Sequence, residues 1–157
     1  MAVSDALIAE YQTLYQVYEA YQEQMLTLKE WSVTVGLSAL VAAYLVGGQK
    51  IRRMGVVLAA LISVPFWIID TMWKMYQKAS LVRLELIEHC VRYNIECVPM
   101  QSVASWQASY SSFDFWDWIS TAINPNVCLP HIVLLLLGLF LACRRPPHHP
   151  STMQSQR

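Results

Sequence analysis

The chain has 157 residues, of which 55% are hydrophobic and 14% charged, and its eleven basic side chains balance eleven acidic ones. That length allows one domain, leaving no room for a separate soluble catalytic unit beside several apolar segments. The zero net charge gives no global argument for nucleic acid as a partner, and the mean hydropathy of +0.33 points instead to lipid.

Residues 1–30 lack the apolar core and early basic residues of a secretory signal, so the first apolar run is expected to act as the insertion signal. Ser4 and Asp5 are suited to cap a helix, and no Pro interrupts the chain between Asp5 and Gly48. Leu7, Tyr11, Leu14, Tyr18, Tyr21, Met25 and Leu28 recur at alternating spacings of four and three, the pattern of a coiled-coil seam. This helix is expected to continue directly into a span over about residues 31–48, where Gly36, Ala39, Ala42 and Ala43 permit close helix contact.

The basic run QKIRR, residues 49–53, reads as a tight turn into a second span over about residues 54–73. Pro65 removes one backbone hydrogen bond there and is expected to bend the helix. Near the end of this span stands Asp70, with Lys74 four residues on. The pair reads either as an ion pair at the membrane surface beside Trp67 and Trp73, or as an ion path or gate to which Pro65 contributes a hinge. Beyond it Met75, Ala79, Val82, Leu86, His89 and Tyr93 repeat the four-and-three spacing, so the return arm should zip onto the first. Cys90 and Cys97 can bridge in an oxidising compartment; Cys97 with Cys128, or free thiols throughout, are the alternatives.

Residues 99–127 change to Ser, Gln, Asn and aromatic side chains, and residues 112–123 read as a short helix on the membrane surface or a cap on the two arms. Asn124, Pro125 and Asn126 suggest a turn, with Pro130 in the first turn of a third transmembrane helix that occupies residues 128–143. The tail, residues 144–157, has a disordered composition, His148 and His149 included.

The expected fold class is thus all-α: residues 1–98 form a long antiparallel transmembrane helical hairpin with coiled-coil-like extensions, followed by the aromatic segment and a third span. Three crossings put Lys50, Arg52, Arg53, Arg144, Arg145 and Arg157 on one side, where no acid stands. Since Lys and Arg near the spans set orientation, the 49–53 turn and the C-terminus are expected in the cytoplasm. The N-terminus and residues 74–127 are then periplasmic, across the inner membrane.

The sequence contains no glycine-rich phosphate loop, HExxH or GxSxG motif, and no catalytic residue, metal ligand set or cofactor is expected. His89, Cys90 and Cys97 lack the spacing and the fourth ligand of a metal site.

The succession EYQTLYQVYEAYQEQMLTLKEW, a two-span unit leaving through FWIID, and a return helix in KMYQKASLVRLELIEH resembles the small two-span effectors of bacterial anti-phage defence, the SLATT-like proteins. The resemblance spans roughly residues 5–95, and the third span is an addition to it. It implies an effector that self-associates in the inner membrane and disrupts it or conducts ions when a defence-system sensor signals infection. Two other readings come from the residues: a non-conducting adaptor that binds a partner through its arms, and a holin-like lysis protein.

Overall fold

The structure, a computed structural model, describes residues 5–45 and 49–144, and of residues 49–51 the backbone alone. Six helices follow in order: α1 Asp5–Leu45, α2 Gln49–Leu61, α3 Ser63–Tyr93, α4 Ser102–Ser112, α5 Phe115–Ala122 and α6 Pro125–Cys143. Among the described residues there is no strand, and three stretches are long and apolar enough to cross a membrane: α1, Arg52–Tyr93 and α6.

The 41 residues of α1 form one unbroken rod, about 60 Å long at 1.5 Å per residue, because no Pro falls within it. Glu10 meets Arg83, Gln22 meets Gln77, Lys29 meets Asp70, and Ala43 faces Gly55, so α1 runs opposite to α2 and α3. The basic run expected as a turn is helical: Arg52 and Arg53 lie in the opening turns of α2, and residues 46–48 fall outside the described residues.

Pro65 acts where its chemistry requires. It has no N–H for the carbonyl four residues back, and the helix is interrupted at Ile62, whose N–H bonds to the Ala59 carbonyl instead at 3.3 Å. The Ser63 hydroxyl donates to the Ala60 carbonyl at 2.8 Å, adding a side-chain bond beside the break.

Within the spans Leu40, Val56, Ala59, Ala60 and Leu134 form one buried cluster shared by α1, α2 and α6. Small residues make it possible. A Cβ at Gly138 would collide with Ala60, and one at Gly36 would lie 2.9 Å from Leu134 Cδ1. The outward faces of the same helices, including Val41, Leu58 and Leu136, are exposed. That suits contact with acyl chains.

Outside the spans a second cluster, Leu7, Leu14, Leu84 and Ile87 with Tyr11 and Tyr18 at its edge, joins α1 to α3. Of the seam positions expected on α1, Leu7, Leu14 and Met25 are buried and Tyr11, Tyr18, Tyr21 and Leu28 partly so. On α3 the register differs. Val82 and Leu86 are each 46% exposed, while Met75, Ala79, Arg83, Leu84, Ile87 and Cys90 are buried. The buried face advances by four at Arg83, because that side chain turns inward to an acid on α1, and the later hydrophobic positions follow it.

α3 ends at Asn94, which takes the left-handed conformation with φ 52° as Ile95 N–H reaches back to the Cys90 carbonyl at 2.9 Å. The aromatic segment holds two helices rather than one. α4 stacks on α3 through Trp106 and Tyr110, which lie 5.0 Å apart and both contact Tyr76. α5 is shorter than the expected 112–123 and starts with a capping box between Asp114 and Asp117. Its Trp118 faces Tyr110, whereas Phe115 and Trp116 are exposed. The expected turn at residues 124–126 is instead the start of α6. Asn124 caps it by accepting from Asn126 N–H, Pro125 occupies the first turn, and Pro130 lies inside the helix. The predicted disordered tail lies outside the described residues, apart from Arg144.

Candidate functional site

Three helices bring polar side chains together between the spans. α3 supplies Asp70 and Trp67, α1 supplies Lys29 and Ser32 one turn apart, and α6 supplies His131 directly after Pro130. Asp70, Ser32 and His131 are each 0% exposed. Asp70 Oδ2 lies 3.5 Å from His131 Nε2 and 3.6 Å from Lys29 Nζ, so one carboxylate faces two cationic or potentially cationic groups from different helices.

The imidazole is held from its other side. Its Nδ1 is 2.9 Å from Ser32 Oγ, and Trp67 stacks on the ring at 6.5 Å between centroids and 15° between planes. Trp67 is itself fixed, since its Nε1 donates to the Ala122 carbonyl at 2.8 Å and its own carbonyl accepts from the Thr71 hydroxyl at 2.8 Å. Where the serine hydroxyl donates to Nδ1, the neutral ring carries its proton on Nε2, the nitrogen 3.5 Å from Asp70 Oδ2. A protonated ring donates from both nitrogens.

Asp70 Oδ1, Asp70 Oδ2 and His131 Nε2 have no hydrogen-bond partner. A buried polar atom left without one costs about 1–3 kcal/mol, and more when it is charged. Lys29 links the site to the outside, because its side chain keeps 21% of its exposure while its ammonium points at Asp70. The arrangement can take up a proton or small cation at Asp70 and pass a proton between carboxylate and imidazole.

Lys74 does not pair with Asp70. It donates to Gln77 Oε1 at 2.6 Å, and Gln77 in turn donates to Gln22 Oε1 at 3.1 Å, so the lysine is drawn along α3 into a contact with α1. Pro65 stands five positions before Asp70, in the first turn of α3, and so positions the helix that carries the acid. Asp70 is also not alone within the spans, since His131 lies in the third one. The signal was present, an ionisable side chain in an apolar run. Its partner, however, is distant in sequence and on a different helix.

A second polar centre holds the far ends of the arms. Glu10 on α1 accepts five hydrogen bonds: from Arg83 Nε at 3.1 Å and Nη2 at 3.0 Å, from Met100 N–H at 2.7 Å, from Gln101 N–H at 3.1 Å and from Ser102 Oγ at 2.7 Å. Arg83 also donates to the Val98 carbonyl at 2.8 Å. Glu10 thereby supplies, from another helix, the anionic acceptor that the start of α4 lacks in its own N-cap, Gln101. Burial pushes the Glu10 carboxyl up, but bonds from Arg83, Ser102 and Met100 together with the Arg83 charge outweigh it and hold its pKa at about 2, against an ordinary 4.5.

Cys90 and Cys97 form a disulfide with their Cα atoms 6.0 Å apart, closing the segment that delivers Val98, Met100 and Gln101 to this centre. Cys128 and Cys143 are free thiols, so the bridge from Cys97 runs to Cys90 and not to Cys128. Among the described residues no group of three or more His, Cys, Asp or Glu side chains could hold a metal ion. His148 and His149 lie outside the described residues. No family model, curated protein or solved structure matches the chain.

Proposed function

We propose that the chain is a small inner-membrane protein that self-associates as zipped transmembrane hairpins and acts as an ion-conducting effector, with Asp70 and His131 as its ion-handling pair. The observation that carries this reading is the carboxylate and facing imidazole nitrogen, fully buried between three spans and without hydrogen bonds. Charged groups held dry inside a membrane cost several kcal/mol, so a site that serves only to hold helices together is better made from apolar residues. One three-span protomer offers little aqueous path, and several copies are needed to line one. The resemblance to two-span defence effectors supports antiviral growth arrest as the setting and a defence-system sensor as a partner. The Cys90–Cys97 disulfide and the acid-free opposite end both support a periplasmic N-terminus and 74–127 segment, with the 49–53 run in the cytoplasm.

Membrane potential in bacteria expressing the chain tests this reading. The intact chain should depolarise the inner membrane, and Asp70→Asn and His131→Gln, at matched membrane levels, should not. Undiminished potential with the intact chain, or full depolarisation by Asp70→Asn, would reject it.

A second reading, a non-conducting adaptor, has one observation in its favour: a cleft of about 470 Å³ at the tip of the arms, with Ile8, Tyr11, Ile87 and Val91 in its walls. A monomeric chain that copurifies with a stoichiometric partner and leaves the potential intact would establish it.

A further inference from the structure

At the end of the bundle farthest from Glu10, Arg52, Arg53 and Arg144 form no ion pair with a described carboxylate. Residues 31–69 and 118–157 contain no Asp or Glu, whereas Lys50, Arg52, Arg53, Arg144 and Arg145 all fall beside the span ends. Arg52 and Arg53, from the first turns of α2, and Arg144, directly after α6, line one cavity of about 350 Å³ whose walls include Val56 and Leu141. Like charges gathered round one cavity repel each other, and none of these three forms an ion pair with any described carboxylate.

Two of the guanidinium groups are also set in place. The Arg52 guanidinium lies 5.4 Å from the Tyr44 ring centroid and that of Arg144 lies 4.4 Å from the Phe140 centroid. Stacking on a ring face leaves the in-plane N–H groups available, and these match the oxygens of a phosphate group in pairs. The positive end of the 13-residue α2 opens in the same region. Its position, where α1 and α6 end and α2 begins, is the depth at which headgroups lie when these helices cross a bilayer.

We propose that this cavity binds the phosphate of an anionic phospholipid headgroup, with Arg52, Arg53 and Arg144 as its donors and the Val56 and Leu141 side against the glycerol and first acyl carbons. A zwitterionic headgroup adds an ammonium to the same cavity and is disfavoured by the arginines. The site is separate from the Asp70–His131 pair, and its test does not depend on conduction.

The full-length chain in mild detergent is offered equal amounts of phosphatidylglycerol and phosphatidylcholine, and bound lipid is counted by native mass spectrometry. The intact chain should retain phosphatidylglycerol preferentially. Each arginine exchanged for Gln should lower that retention about fivefold, and the triple variant Arg52→Gln, Arg53→Gln, Arg144→Gln about a hundredfold. Arg92→Gln, an exposed cation at the far end of α3, should leave it unchanged. The intact chain also gives a test independent of the variants' folding, since added salt should weaken phosphatidylglycerol binding and not phosphatidylcholine binding. Equal retention of the two lipids, salt-insensitive binding, an equal loss in Arg92→Gln, or undiminished preference in the triple variant would each overturn the proposal. Displacement of the lipid by inorganic phosphate, with phosphate then found bound, would assign the cavity to the free anion instead and overturn the headgroup.

Discussion

Glu10 and Asp70 are both buried carboxylates that face cationic groups from other helices, yet Glu10 accepts five hydrogen bonds and Asp70 accepts none. Glu10, on α1, accepts from Arg83 on α3, from the Met100 and Gln101 N–H groups that follow the disulfide-closed loop, and from Ser102 at the start of α4. Asp70 sits among apolar spans, where two side chains approach to 3.5 and 3.6 Å without completing a bond. A saturated carboxylate has little left to bind and serves as a fastener. An unsaturated one keeps the capacity to take up a proton or cation. The difference lies in the supply of donors from irregular backbone, which is plentiful outside the spans and scarce within them.

Removing one member of the fastener should give the largest effect. Arg83→Ala leaves Glu10 buried without its cation and should lower unfolding stability in detergent by about 3–5 kcal/mol, while a paired exchange of Glu10→Leu with Arg83→Met recovers most of it. Because the folded Glu10 pKa of about 2 lies below the ordinary 4.5, its contribution is complete above pH 4.5 and disappears as pH falls towards 2. The stability gap between the intact chain and Glu10→Gln should therefore narrow across that window, and a constant gap would mean that Glu10 is not held ionised. Next in size is the disulfide. Cys90→Ser with Cys97→Ser should cost about 2–3 kcal/mol in thermal unfolding, given a closed loop with a separation of 7 residues, without altering conduction per inserted molecule.

The spans should answer in the opposite sense. Asp70→Asn should keep or raise unfolding stability, since it removes a buried charge that accepts no hydrogen bond, yet reduce proton flux into liposomes about a hundredfold if the acid relays the proton. A destabilisation as large as that of Arg83→Ala would make Asp70 a second fastener and erase the contrast. The smallest expected change is in Ser32→Ala. Losing a hydroxyl that orients His131 should cost about 1 kcal/mol, a fewfold drop in flux, with the pH profile moved because the ring's proton is no longer directed to Nε2.

What could be read in advance follows from which forces are local. The apolar runs and the break near Pro65 are visible in the chain itself, because lipid thickness and a missing N–H act on consecutive residues. On α1 the buried positions Leu7, Leu14 and Met25 fall on a spacing that the chain carries locally. The phase of α3 was not legible, because Arg83 turns inward for an acid 73 positions away, and heptad spacing alone favoured Val82 and Leu86. The basic run at 49–53 looks like a turn by composition, but nothing in Arg52 or Arg53 prevents a helix. Lys74 was the nearest cation to Asp70 along the helix, and Gln77 claimed it. His131 was hidden by distance, in a span that reads as plain hydrophobic filler.

That distance imposes an order on biogenesis. Synthesis runs from the N-terminus, so α1 to α3, with Asp70, exist before His131 has been made. Until the last helix arrives, that aspartate faces Lys29 without the imidazole, and α6 is missing from the packing against Ala60 and Leu40. A chain halted after α5 therefore leaves Asp70 at an interface that α6 has not yet closed. Completion of the final span both buries it and brings the imidazole.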